Sequence, residues 1–283
     1  MKHNYIKNML TALLLLCSTV ASAQIVSVGD ISYKIFREAT STVSGAAYVY
    51  RCSMDAVSPN IVSQITYNSK KYNVTYIGES AFAGCTKMTH ISIPNNISGI
   101  KDFAFRNCSS LKSIEIIDLG AVGSGVFCGC SSLESITGYN NETFSFNGNC
   151  IVNVKTNTLL VGCKNTVIPS SVTSIASLAY ANGPQNVIIP KRIVSIEGGA
   201  FACSGVESIV VEEGHPVYDS RNDCNAVIHT ETNEIVSGCN NTVIPNSVTS
   251  IASYAFYDCD EIESIEIPNG VTSIGSSAFA GCI

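Results

Sequence analysis

The 283-residue chain contains no tryptophan and only four histidines. Charged residues make up 13% of it, and 16 Lys and Arg against 22 Asp and Glu give a formal net charge of −6. That acidic balance, with no basic block anywhere, argues against nucleic acid and anionic membrane surfaces as principal partners. His90, His215 and His229 fall at unrelated phases of the chain, so no catalytic triad or imidazole-rich metal site is expected. Phosphate loops, dinucleotide fingerprints and calcium loops are missing. The carboxylate pairs Glu212-Glu213 and Asp258/Asp260 sit in turn-like stretches and read as a solvated face. No enzyme and no cofactor are expected. Beyond the N-terminus no apolar run approaches the roughly 20 residues of a membrane span.

The N-terminus itself carries Lys2 and Lys7, the run MLTALLLLC, and Ala21-Ser22-Ala23 ahead of Gln24. A charged start, a short apolar stretch and small residues before a cut define an export signal over residues 1–23. The chain from Gln24 would have 14 basic and 22 acidic residues, a net charge of −8. Secretion or display on the outer cell surface is the expected location.

Seven stretches share one phrase, seen in IGESAFAGC at 77–85, IKDFAFRNC at 100–108 and IGSSAFAGC at 274–282. Their aromatic residues are Phe82, Phe105, Phe127, Tyr180, Phe201, Phe256 and Phe279, with steps of 23, 22, 53, 21, 55 and 23. Each long step hides a second kind of unit, NCIVNVKTNTLLVGCKNTVIP from Asn149 and DCNAVIHTETNEIVSGCNNTVIP from Asp223. With these counted, nine units fill the 207 residues from Ile77 to Ile283, or 23 per unit. Self-similarity at that length falls in the range of leucine-rich repeats, a solenoid in which each coil buries its apolar face against its neighbours. Within a unit, the alternating Ile91-Ser92-Ile93 reads as a strand stopped by Pro94, and the Ala-Phe stretch as one helical or 3₁₀ turn.

The phrase near-repeats over blocks as well. NTVIPSSVTSIAS at 165–177 and NTVIPNSVTSIAS at 241–253 differ only at Ser170 against Asn246 and start 76 residues apart. That offset spans three coils, so the array reads as blocks of three. The phrase is a strand end, a proline stop and a corner, not a duplicated active site.

The motif Ile-Gly-x-x-Ala-Phe-x-x-Cys-x-x-Leu-x-x-Ile-x-Ile-Pro, plainest at residues 251–268 and 77–94, resembles the BspA-like leucine-rich repeat proteins of bacterial cell surfaces. ITYNSKKYNVTYIG at 65–78 looks like the hairpin that such proteins place ahead of the first coil. The resemblance implies a parallel β-sheet on one face of the solenoid, with short helical or 3₁₀ turns and loops on the other. It implies an N-terminal cap over residues 24–68, an array of about nine coils over 69–283 that is cut short at its C-terminus, and binding to proteins or cells, host matrix proteins among them.

Cys85, Cys108, Cys130, Cys259 and Cys282 each stand three residues after the aromatic and read as a ladder of buried thiols. Cys203 lies one residue early, and Cys128-Gly-Cys130 has no matching pair for zinc. Disulfides are first sought between Cys150 and Cys163 and between Cys224 and Cys239, as neighbouring rungs are close enough to bridge. The outward position of each strand should follow from alternation. It runs Ser92, Glu115, Thr137, Val167, Ile188, Val210, Val243 and Glu266. Polar ends flank four β-branched apolar residues, and this strand face is the candidate partner surface. A spacer or surface-layer role without a specific ligand is one alternative. Glycan binding along a Ser/Thr/Asn face is another, but it calls for exposed aromatic platforms, and most Phe occupy the core phase.

Overall fold

The computed structural model describes residues 24–180, 183–203 and 205–282. The export signal expected over residues 1–23 lies outside this range.

The Ala-Phe corners are tight turns. In the first, Ala83 N donates to Ser80 O (3.1 Å) and Cys85 N to Phe82 O (3.1 Å). These are single 3₁₀-type bonds, and they do not propagate because left-handed residues interrupt them, Ser80 at φ 54° and Gly84 at φ 77°. A helix nucleates only where consecutive residues hold right-handed helical angles through a full turn. The same two phases are left-handed at Phe103 and Asn107, Gly199 and Cys203, Tyr254 and Asp258, and Ser277 and Gly281. The second phase holds mostly Gly, Asn or Asp, the residues that tolerate this region. Among the described residues the one helical element is the 3₁₀ segment Arg221–Asp223.

Corners stack through their aromatics. Phe82 lies on Phe105 at 4.8 Å between centroids, and Phe105 on Phe127 at 5.4 Å. Two further groups follow, Tyr180 with Phe201 (5.2 Å) and Phe256 with Phe279 (5.0 Å). The thiol ladder accompanies them. Cys108 Sγ donates to Phe82 O (3.1 Å), Cys130 Sγ to Phe105 O (3.0 Å) and Cys282 Sγ to Phe256 O (3.1 Å). Each thiol thus finds its own partner in a carbonyl of the preceding coil, one that already accepts a main-chain N–H from its own corner.

The stack carries two parallel ladders. One is built from four-residue strands: His90–Ile93, Ser113–Ile116 and Ser135–Gly138 form a three-stranded sheet, and Asn186–Ile189 pairs with Ser208–Val211. The other consists of two-residue strands such as Gly99–Ile100, Ser174–Ile175 and Ser250–Ile251. Each run of these short strands starts from an antiparallel hairpin. The three hairpins pair Gln64–Tyr67 with Lys70–Ile77, Ile151–Asn153 with Thr158–Val161, and Ala226–His229 with Glu234–Gly238. Their last strands put Ile77 beside Ile100, Leu159 beside Ile175 and Ile235 beside Ile251. The two cysteine-rich units are therefore hairpin coils, built like the hairpin that leads into the first coil. Residue 68 falls in the turn of that leading hairpin.

The hairpin coils replace the aromatic corner by a threonine clamp. Thr166 Oγ1 accepts from Cys163 N (2.7 Å) and donates to Asn149 O (2.8 Å). Thr242 does the same with Cys239 N (2.8 Å) and Asn225 O (2.7 Å). Both threonines are buried. Gly238 lets the next coil close down, because a Cβ there would collide with the ring of Phe256. This clamp is the physical content of the repeated Gly-Cys-x-Asn-Thr-Val-Ile-Pro phrase.

Candidate recognition face and its surroundings

All eight residues of the expected face point outward and are exposed: Ser92, Glu115, Thr137, Val167, Ile188, Val210, Val243 and Glu266. They do not form one sheet. Ser92 and Glu115 are in register with Thr137, and Ile188 is opposite Val210. Val167, Val243 and Glu266 lie outside the strands, which corrects the continuous strand face read from alternation. The cause is local. In the hairpin coils Val167 N donates to Gly148 O and Val243 N to Cys224 O (both 3.1 Å), so these segments bond to their own coil rather than to the neighbouring rung.

Side chains join the interrupted coils. Arg192 Nη2 donates to Ile168 O (3.1 Å), and Asn241 Nδ2 to Glu207 O (3.2 Å). The four apolar members consequently follow one another across coils four to seven, with Val167 71%, Ile188 67%, Val210 48% and Val243 71% exposed. Beyond Val243 the face dips into a cleft of about 530 Å³, with Val243, Ile244 and Pro245 on one side and Ile265 and Glu266 on the other.

The cysteines depart from expectation in one respect. Cys150, Cys163, Cys224 and Cys239 are free and buried, which corrects the proposed pairs. Their thiols instead donate to main-chain carbonyls, as with Cys150 to Asn147 O (3.0 Å) and Cys163 to Asn149 O (3.3 Å). Burial pushes Cys150 up to about 12 and Cys224 up to about 11, so these thiols stay protonated and inert at neutral pH. The disulfide joins Cys128 to Cys203, with Cα atoms 5.5 Å apart across 75 residues.

Both partners are off the ladder phase: Cys128 is one residue past its aromatic, and Cys203 is two past its own. That displacement was the available signal. The tips of the third and sixth coils meet there, and Leu178 of the fifth coil lies in the same buried cluster as the two cysteines. Asp258 joins the same cluster. Its carboxylate pairs with Arg106 (2.6 Å), whose guanidinium lies 5.9 Å from the ring of Phe103 and 5.7 Å from that of Tyr257. Asp258 is thus a partly buried ion-pair member rather than part of a solvated face. Cys128, Cys203 and Asp258 are the one group among the described residues close enough to share a metal ion, but sulfurs joined to each other are not thiolate ligands.

Stacked coils near 23 residues, with parallel ladders and a repeated buried motif, define a leucine-rich repeat solenoid. The family model of the BspA type leucine rich repeat region matches in six copies over residues 60–168, 160–221 and 231–283, and the chain belongs to that family. Among solved structures it is similar to a leucine rich cell surface protein from Faecalibacterium prausnitzii, at 23% identity over 92% of this chain and 75% of that one, with TM-score 0.43. It is also similar to the pneumococcal vaccine antigen PcpA, at 17% identity over 92% and 68% of the two chains, with TM-score 0.39. A leucine-rich repeat protein from Eubacterium ventriosum shows 16% identity over 90% and 62%, with TM-score 0.43. These likenesses concern the fold alone. No curated protein matches the chain. Among the described residues no helix is long and apolar enough to cross a membrane.

Proposed function

We propose that this protein is a non-enzymatic adhesion module, secreted or held at the outer cell surface. It recognises a protein or cell-surface partner, host matrix proteins included, through the outward residues of its middle coils. One observation carries the reading: Val167, Ile188, Val210 and Val243 stand exposed in four successive coils. The first three coils place Ser92, Glu115 and Thr137 at the same phase, so the fold does not require apolar residues there. Contiguous exposed apolar surface costs solubility and is retained where a partner covers it. Ser92, Glu115, Thr137 and Glu266 then form the polar rim that specific interfaces carry around an apolar centre.

The test replaces Val167, Ile188 and Val210 together by Lys and measures retention on immobilised fibronectin, collagen, laminin and intact cells. Circular dichroism and thermal unfolding establish that the variant is folded. Binding by the parent and at least a tenfold loss in a folded variant is the expected result. Equal binding by both removes this face from the function. Concentration-dependent self-assembly with no saturable binding would favour the spacer or surface-layer role.

A further inference from the structure

The three hairpins that lead into the coils do the same structural work, yet only the first presents aromatic rings to solvent. At the register position beside the first short strand, the hairpins carry Tyr76, Thr158 and Glu234, paired with Gly99, Ser174 and Ser250. Two copies manage without a ring, so the ring is not demanded by the stacking. Around Tyr76 the cap adds Phe36, 53% exposed, and Tyr48, whose ring centroids are 6.1 Å apart. Tyr50 follows at 6.4 Å from Tyr48.

The rings are seated. A Cβ on Gly78 would come within 2.8 Å of the Tyr48 ring, and one on Gly99 within 3.0 Å of the Tyr76 ring. Bare backbone therefore forms the floor against which both tyrosines lie. The result is a cleft of about 500 Å³ lined by Phe36, Tyr48 and Tyr76 together with Glu79, Lys101 and Asp102. Its size, and its aromatic walls with a few polar groups, are those of a small-ligand site.

The charges decide what it holds. Glu79 and Asp102 supply carboxylate acceptors, and Lys101 supplies an ammonium donor. One Asp102 oxygen is engaged by Ser124 N at 3.0 Å. Lys101 already covers Tyr76 at 5.4 Å from its centroid, and Lys34 covers Tyr50 at 5.3 Å. A cationic ligand would meet the like charge of Lys101 at the Tyr76 face, and an anionic one would meet the two carboxylates, whereas a neutral ring that moves the flexible Lys101 aside meets no like charge. Donors and acceptors beside flat apolar faces match an uncharged polyhydroxylated ring, with C–H groups on the aromatics and hydroxyls on the charged side chains. We infer that the cap cleft of Phe36, Tyr48 and Tyr76 is a binding site for neutral saccharides, separate from the recognition face of the middle coils.

The experiment applies the full chain to immobilised neutral oligosaccharides of glucose, galactose, mannose and N-acetylglucosamine, and carries the best-retained one to calorimetry. Tyr48→Ala and Tyr76→Ala should each weaken it at least tenfold, and Asp102→Asn several-fold. The Val167, Ile188 and Val210 triple Lys variant should bind it as the parent does, which separates this site from the adhesion face. If the tyrosine variants do not fold, Phe36→Ala at its exposed position decides, with a loss of at least fivefold expected. Retention of no neutral saccharide overturns the inference. So does binding unaffected by the aromatic changes, or retention only of sialylated, sulfated or trimethylammonium-bearing probes.

Discussion

The corner coil from residue 100 and the hairpin coil from residue 149 occupy equivalent lengths of the stack and close with different atoms. In the first, the Phe105 ring is held between Phe82 and Phe127, and its Cys108 thiol donates to the coil before. In the second, Thr166 ties Cys163 N to Asn149 O, and an antiparallel hairpin stands where the ring would be. The first mechanism links neighbouring coils, whereas the second links a coil to itself. Hairpin coils therefore divide what corner coils would make continuous. Ring contacts run within the groups Phe82 to Phe127, Tyr180 to Phe201 and Phe256 to Phe279, and the long ladder breaks into sheets of three and two strands. The core follows suit, with three large clusters that each begin at a hairpin or at the cap.

The comparison can be broken most severely at its aromatic end. Phe105→Ala removes a fully buried ring with a neighbour on either side, and a loss of about 3–5 kcal/mol is expected from cavity formation. Denaturant titration should show it as a lower midpoint. A loss under about 1 kcal/mol would mean that ring stacking does not carry the corner coils.

The next effect tests whether the division into blocks is bridged. Replacing Cys128 and Cys203 together by Ala releases a link across 75 residues and should cost about 2–5 kcal/mol under oxidising conditions. The parent should fall towards the variant in the presence of a reducing dithiol. An unchanged midpoint in both experiments would make the blocks independent of this bond.

The smallest effect belongs to the clamp. Thr166→Val keeps the shape but leaves Cys163 N and Asn149 O without the hydroxyl between them, at a cost of about 1–3 kcal/mol. Hydrogen exchange should rise at Cys163 while the amide of Phe105, bonded to Val126 O, stays protected. Equal loosening of both amides would show that the two coil types unfold as one unit.

Much of this was legible in the sequence because a solenoid contact recurs every period, so each structural demand is written several times. The phase of Phe82 and its successors marked the ring stack, Cys85 and its successors the thiol ladder, and alternation around Ser92 or Ile188 the outward residues. Gly84, Asn107 and Asp258 share a phase because the backbone there is left-handed. Features that occur once were not legible. Cys203 appeared as a one-residue irregularity, and its partner Cys128 as half of an unmatched pair. Only the packing of the corners of the third, fifth and sixth coils brings them together. Phe36, Tyr48 and Tyr76 lie in three separate strands, Ile31–Arg37, Gly45–Cys52 and Lys70–Ile77, and nothing periodic points to their meeting.

The sequence by itself determined the period and the inward or outward sense of each repeated position. Those depend on local geometry, on a pleat that alternates and a corner that needs particular backbone angles, and local geometry is repeated with the residues. Tertiary structure decided which coils bond to which, where the sheets end, which cysteines pair and which rings share a cleft. Those outcomes rest on distances between residues far apart in the chain, and such distances are fixed only when the irregular coils are packed among the regular ones.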